Sequence, residues 1–217
     1  MSTITAPATP TGERVARRST RVLLAGAMAA GPVFYASSLA QALARDGFDI
    51  RVHPLSQLAT GGPGWVQAAT FVLAGLGAAG FAVARRRVVS TGVGARLVPV
   101  FVAVFGVAFA LAGCFPMDAQ NGFPVGAPAG AVEMSWHSVV HTVAAAVSFL
   151  ALAAACVTSL VASIRGRRVW PSVGHALVAL VLLMPVSPTE SSVQIAVTGA
   201  MAFAWVGVSA ARSRRAR

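Results

Sequence analysis

His137 and His141 stand four residues apart in S-W-H-S-V-V-H, residues 135 to 141, and they are two of only four histidines in the chain. On a helix that spacing puts both imidazoles on one face. Two neutral imidazoles one turn apart suit a metal ion, and a third ligand makes a site of catalytic type with room for water. His53 and Asp118 are the candidates for that third ligand, and Ser56, in H-P-L-S at 53 to 56, adds a hydroxyl. The candidate ligand-binding set is therefore His53, Asp118, His137 and His141. Its candidate metal ligands are His137, His141 and His53, with zinc as the cofactor implied, and its catalytic candidates are Ser56 and Asp118.

Each residue also has a plainer role. His137 follows Trp136 at the start of an apolar run, where amphipathic rings anchor a helix at the membrane surface. Pro54 fixes the backbone and Ser56 fits as the cap of a short helix. Asp118 follows Phe115-Pro116, a place from which it could bind a ligand or orient one. His175 lies apart from the other three and reads as a packing or interface histidine.

The elements that must position these residues are membrane helices. Hydrophobic residues make up 56% of the 217 and charged residues only 11%, and mean hydropathy is +0.73. A soluble domain carries about 25% charged residues, so most of this surface must face lipid. Apolar runs recur at about 22–43, 64–84, 97–115, 134–163, 171–186 and 192–211. Each is near the ~20 residues a helix needs to cross the hydrocarbon core. The fourth is long enough to tilt or project, and the fifth is short and ends near Pro185. The expected fold is an all-α integral membrane bundle of six transmembrane helices. It runs from 21 to 211, between a disordered tail at 1–20 and a basic tail at 212–217.

Arginine placement orients that bundle. All 17 basic residues are arginine, and fifteen lie before the first run, after the second, after the fourth or after the sixth. The other side holds only Arg45 and Arg51, with Asp46, Asp49, Asp118, Glu133 and Glu190. Short loops rich in arginine stay inside, so both termini are expected in the cytoplasm and the protein in the plasma membrane. The net charge of +11 sits at span ends rather than on one soluble face, which argues against nucleic acid as partner. The bilayer is the expected partner. Arg17-Arg18 before an apolar run resembles a leader peptide, but the run continues past Ala30 to Leu43, too long for a cleaved segment. Gly75, Gly77, Gly80, Gly106 and Gly113 suit close helix packing. Cys114 and Cys156 fall at opposite ends of neighbouring spans and read as small core residues without a disulfide.

The two long external connections, 45–67 and 114–137, mix Gly and Pro with aromatics and acids. Four motifs occur in order: H-P-L-S-Q-L, then G-P-G-W-V-Q-A-A-T-F, then C-F-P-M-D, then H-S-V-V-H-T. This order resembles the prokaryotic membrane family called domain of unknown function 998, over about residues 22 to 210. The resemblance implies a multi-span membrane protein and brings no activity with it. The family's fourth-span motif more often reads H-G-x-x-H, and Ser138 stands here in place of that glycine. A looser similarity, to zinc-dependent lipid hydrolases of the alkaline ceramidase and adiponectin-receptor type, maps onto Ser56, Asp118, His137 and His141.

Two functions compete on these grounds. The first is an external polar site that binds a ligand, a lipid headgroup or an ion without chemistry. The second is a zinc-dependent membrane hydrolase acting on lipid through a metal-bound water. A transporter is disfavoured because no acid or arginine falls in the middle of a span. A haem protein would need a second axial ligand level with His141.

Overall fold

A computed structural model describes residues 10–186 and 191–215. It contains six α-helices: α1 Pro10–Ala44, α2 Gly64–Val88, α3 Leu97–Cys114, α4 Trp136–Arg165, α5 Val169–Leu183 and α6 Ser192–Arg215. A 3-10 helix, Leu55–Ala59, interrupts the first long connection. No strand occurs among the described residues.

Five of the six helices are long and apolar enough to cross a membrane. The fifth, α5, has 15 residues, about 22 Å at 1.5 Å per residue, against a hydrocarbon core of about 30 Å. Met184 and Pro185 follow it in extended or irregular backbone, and proline cannot continue a helix inward from that point. Of the six expected spans, five are helices of membrane-crossing length and the sixth, α5, is a shorter apolar helix.

Two boundaries differ from expectation. Residues 10–20 are helical and not part of a disordered tail. A helix once nucleated propagates cheaply, and Arg87 on α2 donates to Ser19 Oγ at 2.9 Å, tying this turn to its neighbour. At the other end α6 continues through Arg215. Residues 1–9, Glu190 and Arg217 lie outside the described residues.

Neighbours in sequence pack as neighbours in space, and α6 returns to pack on α1. The result is a ring of helices whose α5–α6 contact is its least extensive seam. Small residues set the closest approach. A Cβ on Gly106 would overlap the carbonyl of Gly75 and the amide of Ala79, so α2 and α3 cross backbone to backbone. Gly113 likewise lets Phe71 sit against α3. At the middle of the ring, Phe34, Phe71, Phe105, Phe109 and Phe203 from four helices make edge and stacked pairs at 4.7 to 5.8 Å between centroids. Such pairs contribute about 0.5–1.5 kcal/mol each beyond the area they bury.

Polar groups where α1 meets α2 bond to one another, although Gln41 Oε1 has no partner among the described residues. Gln67, fully buried on α2, donates to Ser38 Oγ at 2.9 Å and accepts from Gln41 at 2.7 Å. Ser37 and Thr70 pair one turn away at 3.0 Å. A buried amide without such partners would cost several kcal/mol in hydrocarbon.

The outer surface is apolar and carries tryptophans at both ends. Trp65 and Trp136 are exposed where α2 and α4 begin, and Trp170 is exposed where α5 begins, at the opposite end. Amphipathic rings at both rims mark the two membrane–water interfaces.

Candidate functional site

The two long connections do not hang free. They fold together as a cap over one end of the ring. Arg45, just past α1, donates to the carbonyls of Leu58 and Thr60 at 2.6 and 2.7 Å and lies 4.5 Å over the Phe123 ring. Gln57, fully buried, donates to the carbonyls of Gln120 and Phe123. Gly122 takes a φ of +79°, which an L side chain rarely adopts, and its amide bonds Pro128 O at 2.8 Å. Ser192, the first residue of α6, donates to Val52 O at 2.9 Å and pins the cap to the ring.

His53 belongs to this cap. Its Nδ1 accepts the Asp49 amide at 2.9 Å, so Nε2 carries the proton and donates to Asn121 O at 2.9 Å. The ring is buried between Phe48 and Phe123. Both nitrogens are thereby hydrogen-bonded. Asp49 makes a two-oxygen pair with Arg51, whose hydrogen bonds hold its carboxyl down to about 2.

The pair of histidines on α4 faces the end of α3. Carbonyls in the last turn of a helix have no partner within it. His141 Nδ1 lies 2.8 Å from Ala112 O and 3.0 Å from Phe115 O, and His137 Nδ1 lies 2.8 Å from Pro116 O. Carbonyl oxygens only accept, so Nδ1 is the protonated nitrogen in both rings. The four-residue spacing therefore caps α3 from its neighbour. This answers why two ionisable rings share one face of an apolar helix.

Asp118 steadies the same junction. Ser135 donates to it twice, from its hydroxyl at 2.6 Å and its amide at 2.8 Å. Ser135 Oγ in turn accepts the Ser138 amide as the N-cap of α4. His137 Nε2 stands 3.6 Å from Asp118 Oδ1. Partial burial pushes the Asp118 carboxyl up, but the two Ser135 hydrogen bonds and nearby His137 together hold it below the usual carboxylate value. Its place at the N-terminus of α4 is one where negative charge is favoured.

Of the predicted site residues, the structure thus joins Asp118 to His137, sets His141 one turn deeper, and turns His53 toward Asn121. Among the described residues no group of three or more His, Cys, Asp or Glu is placed to hold a metal ion. The zinc reading needs a third ligand, and in this structure the Nδ1 lone pair of His53 accepts a backbone amide. His137 has its second nitrogen against Asp118.

Ser56 and His141 line the same cavity. Ser56 lies inside the 3-10 helix, whose N-cap is Pro54, so it does not cap that helix as expected; its hydroxyl donates to Met117 Sδ at 3.0 Å instead. A chamber of about 210 Å³ lies beneath it, walled by His141, Ala145 and Phe149 of α4, Leu182 of α5 and Thr198 of α6. A smaller space of about 60 Å³ adjoins it and shares Ser56, His141, Ala145, Phe149 and Ile195. That space in turn shares Tyr35, Leu55 and Ala196 with a groove of about 570 Å³ along α1. The three spaces run in series under the 3-10 helix.

Few polar atoms face this passage. With Nδ1 spent on α3, His141 offers Nε2 as an acceptor, and no hydrogen bond engages that atom among the described residues. Thr198 Oγ1 is buried and has no partner among the described residues. Tyr35 is satisfied by Ala196 O at 2.6 Å. Sequence reasoning reached His141 and Ser56 but missed Thr198. A hydroxyl ahead of Gly199 near the middle of the last apolar run was its only signal, and burial without a partner is visible only in three dimensions.

His175 lies at the opposite end. Trp205 Nε1 donates to its Nδ1 at 2.8 Å, joining α5 to α6. Cys114 and Cys156 are both free; Cys156 is a buried core residue as expected, but Cys114 is exposed at the last residue of α3 rather than in the core.

An all-helical ring with five membrane-length apolar helices, a lipid-facing surface and a folded polar cap defines a multi-pass membrane protein. The sequence model of the family described as protein of unknown function (DUF998) matches residues 28–213, most of the chain. The protein belongs to that family. No curated protein and no solved structure matches the chain.

Proposed function

We propose that this protein is a plasma-membrane protein, with both termini in the cytoplasm, that binds a small amphipathic, lipid-like ligand beneath its external cap. The single observation that carries this reading is the convergence of His141 and the unpartnered, buried Thr198 hydroxyl on one otherwise apolar chamber. Binding sites are typically apolar concavities with a few placed polar groups. A ligand hydroxyl would donate to His141 Nε2 and accept from Thr198, and its apolar part would follow the passage past Phe149. The arginine asymmetry supports the orientation. The loose α5–α6 seam supports entry from the lipid.

Native mass spectrometry of the protein extracted from its own membrane tests this. The wild type is expected to carry an amphipathic adduct. Ala145→Phe, which fills both chambers, should remove it, and Thr198→Val should weaken its retention. An Ala145→Phe variant that keeps the same adduct at the same occupancy would overturn the proposal, as would a wild type that carries none under any gentle extraction.

A further inference from the structure

The opposite end of the ring holds a second pocket, of about 460 Å³, where α2, α4, α5 and α6 end or begin. Arg85, Arg168 and Arg212 line it together with His175. Trp205 donates to His175 Nδ1, so the neutral ring carries its proton on Nε2 and offers the pocket a donor. Ser159, Ser163 and Ser209 add hydroxyls to the wall. Among the described residues no acid lines this pocket, and none of the three arginines pairs with a carboxylate.

Arginines at a membrane surface need no ligand when they reach out to headgroups and water. Arg85 departs from that pattern. It is packed among the helix ends, and its Nε is buried without a hydrogen-bond partner among the described residues. The Arg85 side chain is only partly exposed, and a buried N–H donor without a partner is costly. Its neighbours Arg86 and Arg87 on the same turn are exposed. The α5 helix also begins here, and Arg168 at its N-cap makes no side-chain cap bond, so the positive end of a helix dipole adds to the three guanidinium groups.

We propose that this pocket binds a phosphate group, with Arg85, Arg168 and Arg212 as its cationic donors and His175 as a neutral one. Planar guanidinium groups match phosphate oxygens in pairs. The pocket lies at the rim marked by Trp170, so the phosphate is reached either as a phosphomonoester lipid headgroup or as a free ion from solution. The site is independent of the chambers under the cap and shares no lining residue with them.

The full chain in neutral-lipid nanodiscs separates the two sources. One arm adds inorganic phosphate against chloride at equal ionic strength, and the other replaces part of the phosphatidylcholine with phosphatidic acid. Thermal unfolding is the readout, because a ligand that binds only the folded state raises the melting temperature with its concentration. At least one arm is expected to stabilise the wild type. Arg85→Met should unfold no lower than wild type without anion, and should bind phosphate at least about tenfold more weakly. Arg86→Gln, one residue along and exposed, should respond as wild type does. A response in the phosphate arm assigns a soluble anion, and a response in the phosphatidic acid arm alone assigns a headgroup. The proposal falls if neither arm stabilises the wild type, or if Arg86→Gln loses the response as fully as Arg85→Met.

Discussion

Replacing His141 by phenylalanine isolates the histidine pair's structural role. The substitution keeps an aromatic ring of similar size beside Phe71, 6.1 Å away, and the adjoining space of about 60 Å³ takes up the added atom. It removes the Nδ1 donor shared by Ala112 O and Phe115 O. The Ala112 carbonyl is buried in the last turn of α3 and loses its side-chain partner. Leaving a buried acceptor unpaired costs about 1–3 kcal/mol, while hydrogen bonds between membrane helices measure about 0.6–2. A loss of about 1–2 kcal/mol satisfies both. At about 2–4 °C per kcal/mol for a chain of this size, the melting temperature should fall by roughly 2–8 °C. His137→Phe is the internal comparison. That side chain is 34% exposed, so water can replace its bond to Pro116 O, and the loss should stay within about 0.5 kcal/mol. His141→Asn places an amide N–H near the Nδ1 position and should recover part of the stability. The assay is thermal unfolding in one detergent, followed by circular dichroism. Equal losses at positions 137 and 141, or no loss at 141, would refute the reading of His141 as the cap of α3.

Two further outcomes follow from the cap. The Asp118 carboxyl is held below its ordinary value, so the unfolded state binds the extra proton. Its stabilisation is present above the ordinary carboxylate range near pH 4 and is lost as pH falls through the depressed value. Hydrogen exchange in the first turn of α4 should therefore keep its protection factors at neutral pH and lose protection only in acid. Asp118→Asn should lose about fivefold at neutral pH and remove the acid step, and an unchanged acid step in that variant would put its origin elsewhere. The orientation is checked with Asp46→Cys, an exposed position of the first connection, in a background with Cys114 and Cys156 replaced. A membrane-impermeant maleimide should label it in intact cells, and labelling only after lysis would reverse the proposed sides.

Composition and spacing alone determined the class of this protein. A chain with 11% charged residues cannot cover itself for water, and apolar runs of span length leave helices as the only local solution. The glycines of α2 and α3 announced a close crossing, because only a missing Cβ permits it. The short fifth run announced itself too, since Pro185 limits how far a helix can extend. The quoted motifs carried the family. What the sequence could not settle was which partners the polar side chains take. His53, His137 and His141 looked like one set because type and spacing are the only local signals. In the structure each ring is claimed by a backbone group distant in sequence: Asn121 for His53, Pro116 for His137, Ala112 and Phe115 for His141. Thr198 and Arg85 drew no attention because being buried without a partner is a property of the packed whole. Hydrophobicity is summed along the chain and can be read from it. Hydrogen-bond satisfaction depends on which elements meet, and only the tertiary structure decided that.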